Sequence, residues 1–189
     1  RHVEALIGEA LEHDIDVVVL GEGEITIREL LSAWENSRDL SDIRGIAFLK
    51  DGNVYETEKR PLIHDFDMLP LPDFSLMRYA KIKLYPIART RGCNYNCEFC
   101  AVKDKARCGS PESMMNQVRH LVETRGARRF FEASDHFGAN RKEAVEFCRL
   151  LAEHQKKYGI KLKMTVQTRI TDAKYPDFLE AMRQANIYN

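Results

Sequence analysis

The chain lacks an excess of charge of either sign: Lys plus Arg and Asp plus Glu stand at 29 each. That balance removes the electrostatic reason to expect nucleic acid or an anionic membrane as a partner. No apolar run approaches the ~20 residues that a membrane helix requires, so no membrane span is expected. No secretory leader is expected either, because Arg1-His2-Val3-Glu4 puts charge where such a leader would be apolar. The chain also opens without Met, which leads us to expect a fragment or a processed chain. There is no low-complexity segment and no internal repeat of fixed period. Apolar residues at 44% and charged residues at 31% are ordinary for a folded domain, so disorder is excluded. A disulfide framework is not in view either. Of the five cysteines, three fall within eight residues, a clustering that points to metal ligation in a reducing, cytoplasmic setting.

What is present begins as helix, strand, helix. Val3, Leu6, Ile7, Ala10 and Leu11 share one helical face. Asp16-Val17-Val18-Val19-Leu20 has the continuous apolar character of a parallel strand buried on both sides. After Gly21-Glu22-Gly23-Glu24, the residues Ile27, Leu30, Leu31 and Trp34 return to helical spacing. Gly45 to Thr57 reads as a β-hairpin turning at Asp51-Gly52-Asn53. Pro61, Pro70 and Pro72 then forbid a helix or a central strand, so this stretch is expected to be a linker packed on a surface.

From about residue 83 the pattern becomes β-α-β-α-β-α. Strands are expected near 83–91, 129–134 and 161–169, and a fourth is expected to start in Ala185-Asn186-Ile187-Tyr188-Asn189. Ser110-Pro111 and Asn140 with Glu143 supply helix starts, and Gly126 and Gly159 supply stops. A third helix is expected over 174–185. Such alternation implies a parallel sheet. In the third strand Leu162, Met164 and Val166 point one way, and Lys163, Thr165, Gln167 and Arg169 the other. A polar face is foreign to an open doubly wound sheet, and predicts a barrel interior that holds a polar ligand.

The chemistry concentrates in Arg91-Gly92-Cys93-Asn94-Tyr95-Asn96-Cys97-Glu98-Phe99-Cys100. Thiolates are the ligands that iron–sulfur clusters require, and loop cysteines three and four positions apart can wrap one 4Fe-4S cube. Three thiols leave one iron free to chelate a small molecule. Cys108 could complete a four-ligand zinc or iron–sulfur site instead. Cys148, in a helix beside Phe147, reads as a small buried hydrophobe.

Cys-x3-Cys-x2-Cys at Cys93, Cys97 and Cys100, with Phe99 before the last Cys and a βα series around it, resembles the radical S-adenosylmethionine superfamily. The resemblance implies a (βα)6 partial TIM-type barrel whose first half is residues 81–189. It also implies reductive cleavage of S-adenosylmethionine to methionine and a 5′-deoxyadenosyl radical, with the cluster at the C-terminal ends of the strands. Phe99, Asp135, Gln167 and Arg169 are then the expected cofactor-binding residues. Ser134-Asp135-His136-Phe137 stands where the family often has Gly-Gly-Glu, and resembles the variant of cobalamin-associated members. There Asp135 would hold the methionine amine, and Arg169 the carboxylate. Residues 1–40 resemble the end of a Rossmann-like cobalamin-binding domain, and residues 41–80 form the hairpin and Pro-rich linker between the two parts. The reaction expected of the parent enzyme is cobalamin-dependent methyl transfer or a rearrangement, with electrons from a flavodoxin or ferredoxin. An unpaired last strand leads us to expect dimerisation through the sheet edge. The reading from another class is a non-catalytic zinc or iron–sulfur protein built on Cys93, Cys97, Cys100 and Cys108.

Overall fold

The computed structural model describes residues 5–188, so Val3 of the first helical face and Asn189 of the last strand lie outside the described residues. The chain divides into two compact units, Arg1–Ile63 and His64–Asn189.

In the first unit, α1 (Ile7–Glu12) buries Leu11 against Val18 and Ala47. The strand β1 (Val17–Val19) is followed by α2 (Gly23–Glu35). Next comes the hairpin of β2 (Ile46–Lys50) and β3 (Asn53–Glu56). Asp51 and Gly52 both have positive φ, 52° and 76°, the signature of the two-residue turn that matches the twist of paired strands. The apolar run at 16–20 does not find a parallel partner here. β1 pairs antiparallel with β2, Val17 opposite Phe48 and Val19 opposite Ile46, and only Val18 is fully buried. The hairpin supplies the nearest free strand, so the first strand and the hairpin share one sheet in the order β1-β2-β3. Helix α2 also turns differently from its apolar stripe. It buries Thr26, Leu30 and Ala33, and leaves Ile27, Leu31 and Trp34 at 43%, 50% and 50% exposure. The small side chains of Thr26 and Ala33 allow the closer approach.

In the second unit, residues 64–84 hold neither helix longer than one turn nor strand, as their prolines require. They pack on this unit's surface. Asp67 accepts from the Ser110 backbone N–H at 2.9 Å, Phe66 lies under the Arg91 and Arg107 guanidinium groups, and Phe74 meets Tyr85 edge-on.

Four parallel strands follow in spatial order: β4 (Tyr85–Ile87), β7 (Arg129–Glu132), β8 (Lys163–Thr165) and β9 (Ile187–Tyr188). Between β4 and β7 along the chain, β5 (Thr90–Arg91) and β6 (Arg107–Cys108) form a separate short antiparallel ribbon. The helices are α3 (Pro111–Arg125), α4 (Arg141–Tyr158) and α5 (Pro176–Gln184). Ser110 caps α3 by accepting from Ser113 N–H, and Asn140 caps α4 by accepting from Glu143 N–H. Both helices end at the glycines expected, Gly126 and Gly159.

The strands are shorter than their apolar patterns. Past Thr165 the backbone leaves the ladder, and Gln167 C=O instead accepts from Phe137 N–H at 2.9 Å. The first strand breaks after Ile87, and the chain turns out to pair with β6. One face of the sheet is covered. Ile87, Phe130 and Met164 pack there with Met114, Val118, Phe147, Leu151 and Phe178 of the helices. On the other face Pro86, Ala88, Ala133, Lys163, Thr165 and Gln167 are exposed.

Candidate functional site

The cysteine loop is the span between β5 and β6, so the ladder of that ribbon pins both of its ends. Gly92 begins it with φ +83°, and a Cβ there would stand 2.5 Å from Lys105 O and 2.7 Å from Asp104 O. Only glycine allows the two arms of the loop to come this close. Cys93 N–H donates to Asp104 O at 2.9 Å, and Ala106 N–H to the Asn94 side chain at 3.1 Å. At the tip Cys100 N–H donates to Cys97 O, and the Lys103 ammonium bridges Asn96 Oδ1 and Cys97 O at 2.8 and 3.0 Å.

Cys93, Cys97 and Cys100 are free thiols, each half-buried. Among the described residues no three His, Cys, Asp or Glu side chains are gathered closely enough to hold a metal ion. The three thiols therefore share one loop without converging on one point. Their donor chemistry fits an iron–sulfur cluster, since all are free cysteines on a loop whose arms are tied rather than packed. Cys108 differs from them. It lies on strand β6, where its sulfur accepts from the Thr90 hydroxyl at 3.3 Å. Cys148 is fully buried in α4, and burial pushes its thiol up to about 12, which makes it inert.

Two strand ends reach the loop. Asp135, on the exposed face after β7, accepts from Gly92 N–H through Oδ2 at 2.8 Å. Arg169, after β8, sets Nη1 3.3 Å from Cys97 Sγ and stacks its guanidinium 3.7 Å from the Tyr95 ring centroid. The hydrogen bond to the Cys97 sulfur holds Arg169 above even the usual guanidinium range. Gln167 reaches neither thiol nor loop: its amide donates to Ser134 O at 3.1 Å and ties the two strand ends together. Phe99 points away from the packed chain, 94% exposed. The structure thus brings Asp135, Arg169 and the cysteine loop together, with Gln167 beside them and Phe99 apart.

Next to the loop is a buried polar network that was not singled out from the sequence. Arg89, 3% exposed, donates from Nη1 to Gly109 O at 3.1 Å and to Glu143 Oε2 at 2.6 Å. Ser134 Oγ accepts from Arg89 N–H and Thr90 N–H and donates to Glu132. Glu132 is wholly buried, and burial raises its carboxyl above the ordinary range, the Ser134 and Arg89 contacts opposing that shift. His136 and Asp172 form a second buried pair at 2.9 Å. One signal in the sequence could have found these residues: Glu132, Ser134 and His136 stand at alternate positions in step with the apolar Phe130.

No family model matches the chain. Curated relatives do. An uncharacterised methyltransferase of Pyrococcus horikoshii is 30% identical over 165 residues, 82% of this chain and 35% of the relative. The anaerobic magnesium-protoporphyrin IX monomethyl ester cyclase of Synechocystis sp. is 30% identical over 187 residues, 93% of this chain and 36% of that one. The hopanoid C-2 methylase of Rhodopseudomonas palustris is 31% identical over 136 residues, 70% of this chain and 25% of the methylase. The chain therefore spans about a third of the length of the first two relatives and a quarter of the third.

Solved structures share the fold. The radical S-adenosylmethionine methyltransferase TsrM of Kitasatospora setae, with tryptophan and an S-adenosylmethionine analogue bound, superimposes with TM-score 0.71 at 17% identity, over 98% of this chain and 37% of its own. The cobalamin-dependent S-adenosylmethionine radical enzyme OxsB, with aqua-cobalamin and S-adenosylmethionine bound, gives TM-score 0.71 at 19% identity, over 96% and 28%. By sequence this chain is a relative of methyltransferases, a methylase and cyclases, and its fold is that of a radical S-adenosylmethionine methyltransferase and a cobalamin-dependent S-adenosylmethionine radical enzyme.

Proposed function

We propose that Cys93, Cys97 and Cys100 hold a 4Fe-4S cluster and that residues 81–189 are the first half of a radical S-adenosylmethionine barrel. The observation that carries this is the attachment of the cysteine loop to two parallel strand ends by Asp135 and Arg169, on the polar, uncovered side of the sheet. Such a cluster, when bound, supplies an electron for cleaving S-adenosylmethionine to methionine and a 5′-deoxyadenosyl radical. The chain's own residues do the holding. The Asp135 carboxylate keeps acceptor capacity beyond its bond to Gly92 and suits the methionine amine. Arg169 offers a planar donor fork to the methionine carboxylate. Gln167 lines the polar face between them, and Phe99 presents an open aromatic ring beside the last cysteine. The place of Cys108 on a strand, engaged by Thr90, favours three thiols over a four-cysteine zinc or iron–sulfur site.

We further read residues 1–40 as the end of a cobalamin-binding domain and residues 41–80 as the hairpin and linker that follow it. Gly21, with φ +78° and open space where a Cβ would stand, leaves the turn after β1 accessible to a ligand. The parent enzyme would then carry out methyl transfer, in line with its methyltransferase and methylase relatives, or a rearrangement, with electrons drawn from a flavodoxin or ferredoxin. No helix among the described residues is long and apolar enough to cross a membrane.

The test is anaerobic reconstitution with metal and sulfide analysis. About four irons and four sulfides per chain are expected, with an electron-spin signal that changes on adding S-adenosylmethionine. Stoichiometric zinc without sulfide would overturn the reading.

A further inference from the structure

Three side chains without a task in the proposed chemistry stand between the strand ends and the cysteine loop. His136 and Asp172 are 3% and 6% exposed, and His136 Nε2 lies 2.9 Å from Asp172 Oδ2. The same oxygen accepts from the Arg169 backbone N–H at 3.0 Å. With the carboxylate as acceptor, His136 Nε2 is the donor, which leaves Nδ1 buried without a hydrogen-bond partner. A buried pair with an orphaned nitrogen is a poor way to gain stability, because that nitrogen keeps its full desolvation penalty. Gly138 leaves room for the pair: a Cβ there would stand 3.2 Å from both His136 Nε2 and Asp172 Oδ2.

The pair has a third member. Tyr95, midway between Cys93 and Cys97, meets the His136 ring edge-on at 5.7 Å between centroids. Its ring also carries the Arg169 guanidinium at 3.7 Å, and Arg169 in turn reaches Cys97. The loop tyrosine is therefore gripped between an imidazole from one strand end and a guanidinium from the next. Edge-on aromatic contacts and cation–π stacking each favour this geometry beyond simple area burial.

We propose that Tyr95, His136 and Asp172 are positioning residues, a latch that holds the cysteine loop and Arg169 against the strand ends before any cofactor binds. Asp172 fixes the imidazole and the Arg169 backbone with one oxygen. The imidazole and guanidinium then fix Tyr95, and Tyr95 fixes the loop. Holding Tyr95 in advance leaves less of the loop to be ordered when the three thiols converge on a cluster. The purpose of the latch rests on the cluster reading above, whereas its geometry does not.

Hydrogen exchange on the cluster-free full chain separates the two. Tyr95→Ala and His136→Ala are expected to speed exchange of residues 92–106 about tenfold, with the amides of α3 and α4 unchanged. Tyr95→Phe keeps the ring and Asp172→Asn keeps an acceptor oxygen, so both should match the parent. The double variant Tyr95→Ala with His136→Ala should be no faster than Tyr95→Ala alone, because His136 acts on the loop through Tyr95. Parent-like loop exchange in Tyr95→Ala would overturn the latch, and this side chain, 41% exposed, can be removed without opening the core. So would faster exchange spread evenly over α3, α4 and the loop, the mark of a merely structural role. If the parent chain fails to take up iron and sulfide, the cluster reading falls, and the exchange result still judges the latch.

Discussion

The two faces of the four-stranded sheet follow opposite rules. Beneath the helices, Ile87, Phe130 and Met164 meet Met114, Phe147 and Phe178, all nearly water-free. On the far side the same strands present Lys163, Thr165 and Gln167 to solvent, and the residues in step with them, Asp135 and Arg169, reach the cysteine loop. Alternation along a strand sends neighbouring residues to opposite faces, so one short segment can serve a core and a site at once. The covered face gives the strands their places, and the open face gives them chemistry.

The largest expected break in this division lies in the loop. Replacing any one of Cys93, Cys97 or Cys100 by Ala should abolish uptake of the full iron and sulfide complement, while Cys108→Ala should leave it unchanged. Equal loss in Cys108→Ala, measured by iron and sulfide assay, would make the site four-ligand. Next is the contrast between faces in stability. Phe147→Ala, in the covered core, should cost about 3–5 kcal/mol in urea unfolding, and Thr165→Ala on the open face within about 0.5 kcal/mol. Similar costs for both would mean that the open face is packed in solution.

On the reconstituted chain, Asp135→Ala and Arg169→Ala should each weaken S-adenosylmethionine binding about ten- to a hundredfold by calorimetry with the cluster intact. Asp135→Asn separates the two duties of this residue, since it keeps an acceptor for Gly92 N–H and loses the charge. The smallest effect concerns Glu132, whose ionised form is disfavoured by burial. A carboxyl raised in the folded state destabilises the fold as pH climbs through its ordinary value to the raised one, and costs nothing below both. Glu132→Gln should therefore raise the thermal midpoint at pH 7, by an amount that shrinks as the pH falls towards about 4.5. A gain that grows on acidification would reverse the assignment.

Much of the fold of the second unit was legible. Ser110, Gly126, Asn140 and Gly159 punctuate its helices where their backbone chemistry demands, and the alternation of Leu162 to Gln167 announced which side of β8 would be wet. Less of the first unit was. The run at 16–20 is equally apolar whichever way its neighbour runs, so its antiparallel partner β2 could not be read from it. The stripe Ile27, Leu31 and Trp34 misled for a related reason: α2 is apolar on more than one face, and packing chose the face with the smaller residues. At the site, the cysteine spacing was plain, but Tyr95, His136 and Asp172 carry no spacing that links them. His136 and Asp172 are 36 positions apart in the chain.

By itself, then, the sequence determined the local things: where helices begin and end, which side of the third strand is polar, and that three thiols share one loop. These depend on backbone chemistry and on periods of a few residues, which any stretch of chain carries within itself. Only the tertiary structure decided that Asp135 closes on Gly92, that Arg169 lands beside Cys97 and that Tyr95 is gripped between His136 and Arg169. Those contacts join strand ends and loop across tens of residues, and their existence depends on the parallel ladder that sets β4, β7 and β8 side by side.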